Sequence, residues 1–145
     1  MVGGGIGGLA AALAVAAVGH RAVVLEQAPH FAEIGAGIQL APNGIHALHL
    51  LGLGDALHST ALEMTELRFL DGVTGEHVTS VPLTEGYQRR FGYPYVVAHR
   101  AELHALLYDA CRRADRIELL SASRVTGYRQ DDTSATAVLD GGQPV

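Results

Sequence analysis

The residues with the clearest potential for chemistry lie at the start of the chain, where glycines follow a fixed spacing. Gly3, Gly5 and Gly8 form the pattern G-x-G-x-x-G directly before an apolar run. In a strand–turn–helix unit these glycines permit a tight turn, a close approach of the backbone to a pyrophosphate, and close packing of helix on strand. The amides and the dipole at the helix start then favour an anion. The pattern predicts a phosphate-binding loop.

An acidic side chain supports this interpretation. Glu26 lies near the end of the apolar stretch RAVVLEQ, eighteen residues after Gly8. A carboxylate at this place can accept hydrogen bonds from both hydroxyls of an adenosine ribose. Its charge also disfavours a 2′-phosphate on that ribose. In the alternative interpretation the glycines serve only helix packing and Glu26 is a solvated strand end. The glycines do not distinguish NAD from FAD, because both contain the ADP that they recognise.

The elements that must position these residues alternate between helical and extended patterns. Ile6 to Val18 favours a helix that ends at Gly19, and RAVVLEQ is typical of a buried parallel strand. A second helix is predicted from Pro42 to about Leu51, with LGLGDALHS as a broken continuation, and another over RAELHALLYDACRRA. Strands are predicted in ELRFLDGVTGEHVTSV (two strands and a turn), YPYVVAH, IELL and SRVTGYRQDDTSATAVLDGG (a hairpin). The order is β-α-β, then a hairpin, then a second β-α-β formed by YPYVVAH, RAELHALLYDACRRA and IELL. It predicts an α/β fold whose β-α-β sheet carries a β-hairpin insertion.

Composition excludes several classes of partner. The 145 residues, with 48% hydrophobic and 17% charged residues, describe one globular domain, and the net charge of −5 argues against nucleic acid and anionic lipid. The apolar run from Leu9 to Val18 is about half of what a bilayer span needs, and no Lys or Arg precedes it. Cys111 is the only cysteine, which suits a reducing compartment. We expect a cytoplasmic protein with no membrane or nucleic-acid partner.

The eight histidines do not form a recognisable metal-binding or catalytic pattern. His46 and His49 lie three residues apart on a predicted helix and His58 follows, but no Glu or Cys pattern completes a zinc site. We expect no metal. His99 and His104 are expected to make hydrogen bonds at a helix start or in the core, and G-x-S-x-G is absent.

Two later segments, FAEIGAGIQLAPNG and YPYVVAHRAELHALL, resemble the flavin-dependent aromatic hydroxylases. These single-component monooxygenases include salicylate and 3-hydroxybenzoate hydroxylases, and the resemblance covers essentially the whole chain. The stretch EGYQRRFGYPYVVAHRAELHALLYDA is most similar to the 3-hydroxybenzoate 6-hydroxylase branch. The resemblance implies a Rossmann-like, glutathione-reductase-type FAD-binding fold, with residues 1–145 forming its N-terminal portion.

The resemblance also implies a set of cofactor-binding residues. From the pyrophosphate to the ribose and then to the flavin they are Gly3, Gly5, Ile6, Gly8, Glu26, Gln27, Gly35, Ala36, Gly37 and Arg100, with Val125 at the adenine end. Small residues suit a backbone that passes close to a flat ring, and a guanidinium suits a diphosphate or the polar edge of the cofactor. The alternatives are an exposed helix-start position for Arg100 and a core position for Val125.

The implied reaction is hydroxylation of a phenolic or aromatic acid. NADH or NADPH would reduce FAD, O₂ would add to give a flavin C4a-hydroperoxide, and its distal OH would be transferred to a ring carbon. The sequence does not indicate which aromatic substrate or ring position is used, nor which nicotinamide cofactor. The catalytic residues are expected outside this chain.

The expected first strand is short, because only Met1 and Val2 precede the glycines. The family's Asp-Gly and Gly-Asp elements and its substrate pocket are expected after Val145. The chain alone is therefore expected to be inactive and to self-associate through an unpaired sheet edge. Two alternatives remain: a nucleotide-binding segment without catalysis, and an NAD-linked dehydrogenase, which is disfavoured because the chain after Glu26 turns to GAGI and a hairpin.

Overall fold

A computed structural model describes residues 1–32, 35–142 and 145. The chain divides into two compact units, the first formed by Met1–Ile34 with His104–Val145 and the second by Gly35–Leu103. The predicted residues of the phosphate loop and ribose site belong to the first unit, and those assigned to the flavin end belong to the second.

A short parallel sheet organises the first unit. Strands β1 (Ala22–Leu25) and β7 (Ile117–Leu120) pair in parallel along their full lengths. Val2 adds a parallel bridge to Leu25 on the other side of β1, and helix α1 (Ile6–Ala17) connects that bridge to β1. This is the β-α-β arrangement predicted from the glycine pattern.

The core of the first unit lies between α1, the sheet and helix α5 (Arg100–Arg113), which begins in the second unit. Leu9, Val24, Leu107 and Cys111 are fully buried there. The Cys111 thiol lies 3.5 Å from the carbonyl oxygen of Leu9, which places α5 against α1. Burial raises the pKa of Cys111 to about 11, which makes this thiol unreactive at neutral pH.

The rest of the first unit is a hairpin. Strands β8 (Val125–Gln130) and β9 (Ala135–Leu139) pair antiparallel, with an irregularity between Val125 and Gly127. The sequence predicted this hairpin.

The second unit is built on antiparallel pairing. Strand β6 (Val96–His99) lies between β2 (Gly37–Leu40) and β3 (Leu62–Glu63). Strands β4 (Glu66–Leu70) and β5 (His77–Pro82) form a separate hairpin. The helices of this unit are α2 (Pro42–Leu50), α3 (Gly54–His58) and α4 (Glu85–Phe91).

The structure corrects the predicted order of elements in four places. The segment around GAGI contains strand β2, not only irregular glycine-rich backbone, and β3 and α4 had not been predicted. Strand β6 was expected to form a second β-α-β unit with α5 and β7, but it belongs to a different sheet from β7. The α/β class and the hairpin insertion are confirmed.

Among the described residues, no helix combines the length and the apolar character needed to cross a bilayer. The longest apolar helix, α1, has twelve residues.

Candidate functional site

The glycine loop turns from the bridge at Val2 into α1. The N–H of Gly3 donates to the carbonyl oxygen of Leu25 at 2.8 Å, so the loop is fixed to the end of β1. Gly3 has φ of +99°, in the left-handed region that favours glycine. The tight turn predicted for the first glycine is therefore present.

The other two motif glycines have opposite surroundings. A Cβ on Gly8 would overlap the carbonyl oxygen of Gly3, whereas a Cβ on Gly5 would have no atom within 4 Å. Gly8 therefore allows α1 to lie directly against the loop. Gly5 leaves the backbone open to a ligand from outside, as a close approach by a pyrophosphate requires.

The start of α1 supplies hydrogen-bond donors at this opening. Gly5 is the N-cap residue and no side chain caps the helix; its first turn, which begins at Ile6, contains no acidic residue. The first amides of a helix have no partner within the helix, and its dipole favours an anion there. The predicted residues Gly5, Ile6 and Gly8 thus lie together at the start of α1, where an anion is favoured.

Glu26 follows β1 and faces the same loop. Its Oε2 accepts the N–H of Gly4 at 2.6 Å and its Oε1 accepts the N–H of Ala28 at 2.8 Å. The hydrogen bond from Ala28, with a further one from Gly4, lowers the pKa of Glu26, so this half-buried side chain is a carboxylate at neutral pH. Each oxygen has a second lone pair that can accept a ribose hydroxyl.

A cavity of about 180 Å³ lies beside this carboxylate. Its lining brings together Glu26, Gln27 and Val125, three of the predicted residues, with Gly3 and Ser123. The N–H of Ser123 donates to the carbonyl oxygen of Glu26 at 2.8 Å. Sequence reasoning missed Ser123; its position after β7, beside β1 in the parallel sheet, was the available signal, because ligands bind at the carboxyl ends of such strands.

Gly4 is a second residue that sequence reasoning missed, because the motif leaves its position open. It is buried, and a Cβ there would overlap the ring of Phe31. A side chain at position 4 would therefore have to displace this ring. No motif reveals this contact, since Phe31 lies far away in the sequence.

The residues assigned to the flavin end lie together in the second unit. Gly37 opens β2 opposite His99 of β6, and the N–H of Arg100 donates to the carbonyl oxygen of Ala36 at 2.8 Å. A Cβ on Gly35 would crowd the His99 imidazole. Gly35, Ala36, Gly37 and Arg100 are all exposed, so solvent reaches this strip of backbone.

The histidines of α2 take part in ring contacts. His49 lies with its ring centroid 4.9 Å from that of Tyr93 and 5.7 Å from that of His58, and His46 Nδ1 lies 3.3 Å from the Tyr93 hydroxyl. In the part of the chain that the structure describes, no group of His, Cys, Asp or Glu is arranged to hold a metal.

The parallel β-α-β unit, its open glycine loop and the carboxylate after β1 define a dinucleotide-binding protein. Residues 1–144 match the family of the FAD binding domain, and the chain belongs to that family. The donors at the loop and the acceptor at Glu26 fit an ADP moiety with free ribose hydroxyls, which FAD contains.

The relatives of this chain include hydroxylases. It is 44% identical over 98% of its length to 3-hydroxybenzoate 6-hydroxylase 1 of Aquipseudomonas alcaligenes, of which it covers 36%. It is 37% identical over 98% of its length to the 3-hydroxybenzoate 6-hydroxylase of Klebsiella oxytoca, again covering 36%. The chain thus spans about a third of the length of these relatives.

Solved structures share the fold. The p-nitrophenol 4-monooxygenase PnpA of Pseudomonas putida DLL-E4 matches with a TM-score of 0.81 and 25% identity, over 97% of this chain and 35% of that one. HpxO of Klebsiella pneumoniae, solved with FAD and uric acid, matches with a TM-score of 0.76 and 27% identity, over 99% of this chain and 35% of that one. The predicted family and fold class are confirmed.

Proposed function

We propose that the chain is the N-terminal portion of the FAD-binding domain of a monooxygenase, and that the whole protein hydroxylates a phenolic or aromatic acid with NADH or NADPH and O₂. The observation that carries the proposal is the 44% identity to a 3-hydroxybenzoate 6-hydroxylase over 98% of the chain. This range includes both sets of predicted residues, those of the glycine loop and those around Arg100. A hydroxybenzoate is accordingly the first substrate class to test.

The residues of the first unit would bind the ADP half of FAD. The amides of Gly5 and of the first turn of α1 would donate to the pyrophosphate, and the carboxylate of Glu26 would accept the ribose hydroxyls. Gln27 and Val125 line the cavity beside that carboxylate and would border the adenosine. The lowered pKa of Glu26 keeps it an acceptor throughout the neutral range.

The residues of the second unit would contact the flavin half. The exposed backbone of Gly35, Ala36 and Gly37 would lie along the ring system, and Arg100 would donate to polar atoms of the cofactor. Bound FAD would supply the transfer of reducing equivalents from the nicotinamide cofactor to O₂. The chain's own contribution would be to bind and orient the cofactor.

The test is to purify the whole protein that carries this chain and release its cofactor by heat. The absorption spectrum of a flavin is expected in the supernatant, and a hydroxybenzoate incubated with NADH or NADPH and O₂ should yield a dihydroxybenzoate by chromatography. Flavin without a hydroxylated product would favour nucleotide binding without catalysis. A colourless protein that FAD cannot reconstitute, but that binds NAD, would favour a dehydrogenase instead.

A further inference from the structure

Gly4, between the first two glycines of the motif, contacts three side chains. Its N–H donates to Glu26 Oε2 at 2.6 Å, and its carbonyl oxygen lies 2.8 Å from Nε2 of His104. The ring of Phe31 covers its Cα, where a Cβ would not fit. Gly4 is itself buried, so these contacts are made away from solvent.

We propose that His104 is a positioning residue for the phosphate-binding loop, which it orients through the carbonyl group of Gly4. This inference rests on the proposed function, in that it concerns the same loop. His104 would not contact the cofactor. Its effect would be to set the direction of the Gly5 N–H, which would contact the cofactor.

The argument follows from the geometry of the peptide bond. In a trans peptide the C=O and the next N–H point in opposite directions, and no described peptide bond is cis. Because His104 binds the Gly4 carbonyl on the buried side, the N–H of Gly5 is directed the other way. Gly5 itself is partly exposed, and the position that a Cβ would take there has no atom within 4 Å, so a ligand can reach this backbone.

Glu26 orients the preceding peptide in the same manner. It accepts the N–H of Gly4, so the carbonyl of Gly3 points away from Glu26, and it lies against Gly8, where a Cβ would overlap it. Two side chains distant in sequence thus fix two consecutive peptide planes. A loop that is ordered before the ligand arrives loses less conformational entropy on binding.

The contact also determines the form of the imidazole. A carbonyl oxygen only accepts, so Nε2 of His104 must carry a hydrogen. The side chain is 3% exposed, and burial of an imidazole is costly unless it is hydrogen-bonded. The hydrogen bond to Gly4 supplies that partner.

A series of stacked rings keeps His104 in place. Its ring is nearly parallel to that of Tyr108, one turn later on α5, at 6.5 Å between centroids and 10° between planes. Tyr108 stacks in turn on Phe31 at 5.2 Å and 24°, and Phe31 covers Gly4. Helix α5 therefore contacts the loop at Gly4 both directly through His104 and indirectly through Tyr108 and Phe31.

The test compares three variants of the whole apoprotein by FAD titration. His104→Leu removes the donor and is expected to weaken FAD binding about tenfold or more, the effect of losing an oriented hydrogen bond. His104→Gln keeps an N–H donor at a similar reach and is expected to remain within about threefold of the unmodified protein. His20→Leu, at an exposed histidine of the same unit, is the control and should bind FAD normally.

A second readout needs no ligand. In apoprotein labelled with ¹⁵N at His and Gly, the nitrogen shifts of His104 should report a hydrogen on Nε2, and the Gly5 amide signal should broaden or shift in His104→Leu but not in His104→Gln. Equal FAD affinity in all three variants, or equal losses in His104→Leu and His104→Gln, would overturn the proposal. If the unmodified protein binds no FAD yet these signals behave as expected, the positioning role stands and the proposed function fails.

Discussion

The backbone N–H of Arg100 donates to the carbonyl oxygen of Ala36 at 2.8 Å. This hydrogen bond joins the segment GAGI to the segment HRAELH at the point where β6 ends and α5 begins. Within the second unit, the residues 35–38 of GAGI and the start of HRAELH at His99 and Arg100, two segments that carry the resemblance to aromatic hydroxylases, are therefore neighbours. Because the contact uses only backbone atoms, substitution of the Arg100 side chain leaves it in place.

Arg100→Ala in the whole protein should weaken FAD binding by about tenfold, the effect of losing a charged hydrogen-bond donor. The midpoint of thermal unfolding of the apoprotein should change little, because the side chain is exposed. Arg100→Lys should recover only part of the affinity, since an ammonium lacks the planar fork of a guanidinium. Arg113→Ala, at the exposed other end of α5, is the control; an equal loss in both alanine variants would mean that charge in general, and not Arg100, matters.

Glu26→Ala should weaken FAD binding about tenfold to a hundredfold, because charge-assisted hydrogen bonds to the ribose contribute roughly 1.5–3 kcal/mol. The variant also loses the acceptors of the Gly4 and Ala28 amides, so unfolding of the apoprotein must be measured beside the titration. ADP should compete with FAD better than 2′,5′-ADP does, since the carboxylate repels a 2′-phosphate. Unchanged FAD affinity would remove Glu26 from the binding site.

The acid stability of the chain should contain a contribution from Glu26. Its pKa in the folded protein lies below the ordinary value of 4.5, because the Ala28 and Gly4 amides donate to the carboxylate. The resulting stabilisation is complete above the pKa that the Glu26 carboxyl has in the unfolded chain. It is lost as the pH falls through the lowered pKa that this carboxyl has in the folded protein. The difference in free energy of unfolding between the native chain and Glu26→Gln should therefore shrink as the pH drops below about 4.5. A difference independent of pH would contradict the assignment.

Substitution by alanine should affect the stability of the protein differently at two adjacent glycines of α1. A Cβ on Gly8 would overlap the Gly3 carbonyl oxygen, whereas one on Gly7 has no atom within 4 Å. Gly8→Ala should lower the free energy of unfolding by about 1–3 kcal/mol through overpacking. Gly7→Ala should leave it unchanged or raise it by up to about 1 kcal/mol, because alanine is the better helix former. Chemical denaturation of both variants provides the measurement, and similar losses would show that the loop does not pack as described.

Local patterns predicted the elements that have a strong apolar signal or a glycine motif. Helix α4 was missed because none of its residues is buried, so it lacks the hydrophobic periodicity from which a helix is predicted. Strand β2 was missed because it begins at a glycine within a glycine-containing segment and because it pairs with β6, far along the chain. The same distance explains why β6 was assigned to the wrong sheet: a short apolar run does not indicate its partner.

At the candidate site, the sequence predicted residues whose type is itself the signal. The glycine spacing and the acid at Glu26 belong to a motif, and the structure brings them together at one opening. Ser123, Gly4 and the contact of His104 with the loop could not be predicted in this way, because each depends on a neighbour that only the fold supplies. The general expectation that His104 makes a buried hydrogen bond is confirmed; its partner was not foreseen.

The 145-residue chain, taken alone, should not hydroxylate aromatic acids. It spans about a third of the length of its hydroxylase relatives, and the backbone proposed to contact the flavin, Gly35 to Gly37, is exposed. A flavin bound there would face water, so reduction by NADH or NADPH should yield hydrogen peroxide in place of product.

Apolar side chains exposed on the hairpin β4–β5, such as Leu70 and Val78, should also promote self-association, which sedimentation would detect. The purified chain is incubated with FAD, NADH or NADPH, O₂ and a panel of hydroxybenzoates, and the products are separated by chromatography. Formation of a dihydroxybenzoate in proportion to the reductant consumed, above a control without protein, would refute this prediction.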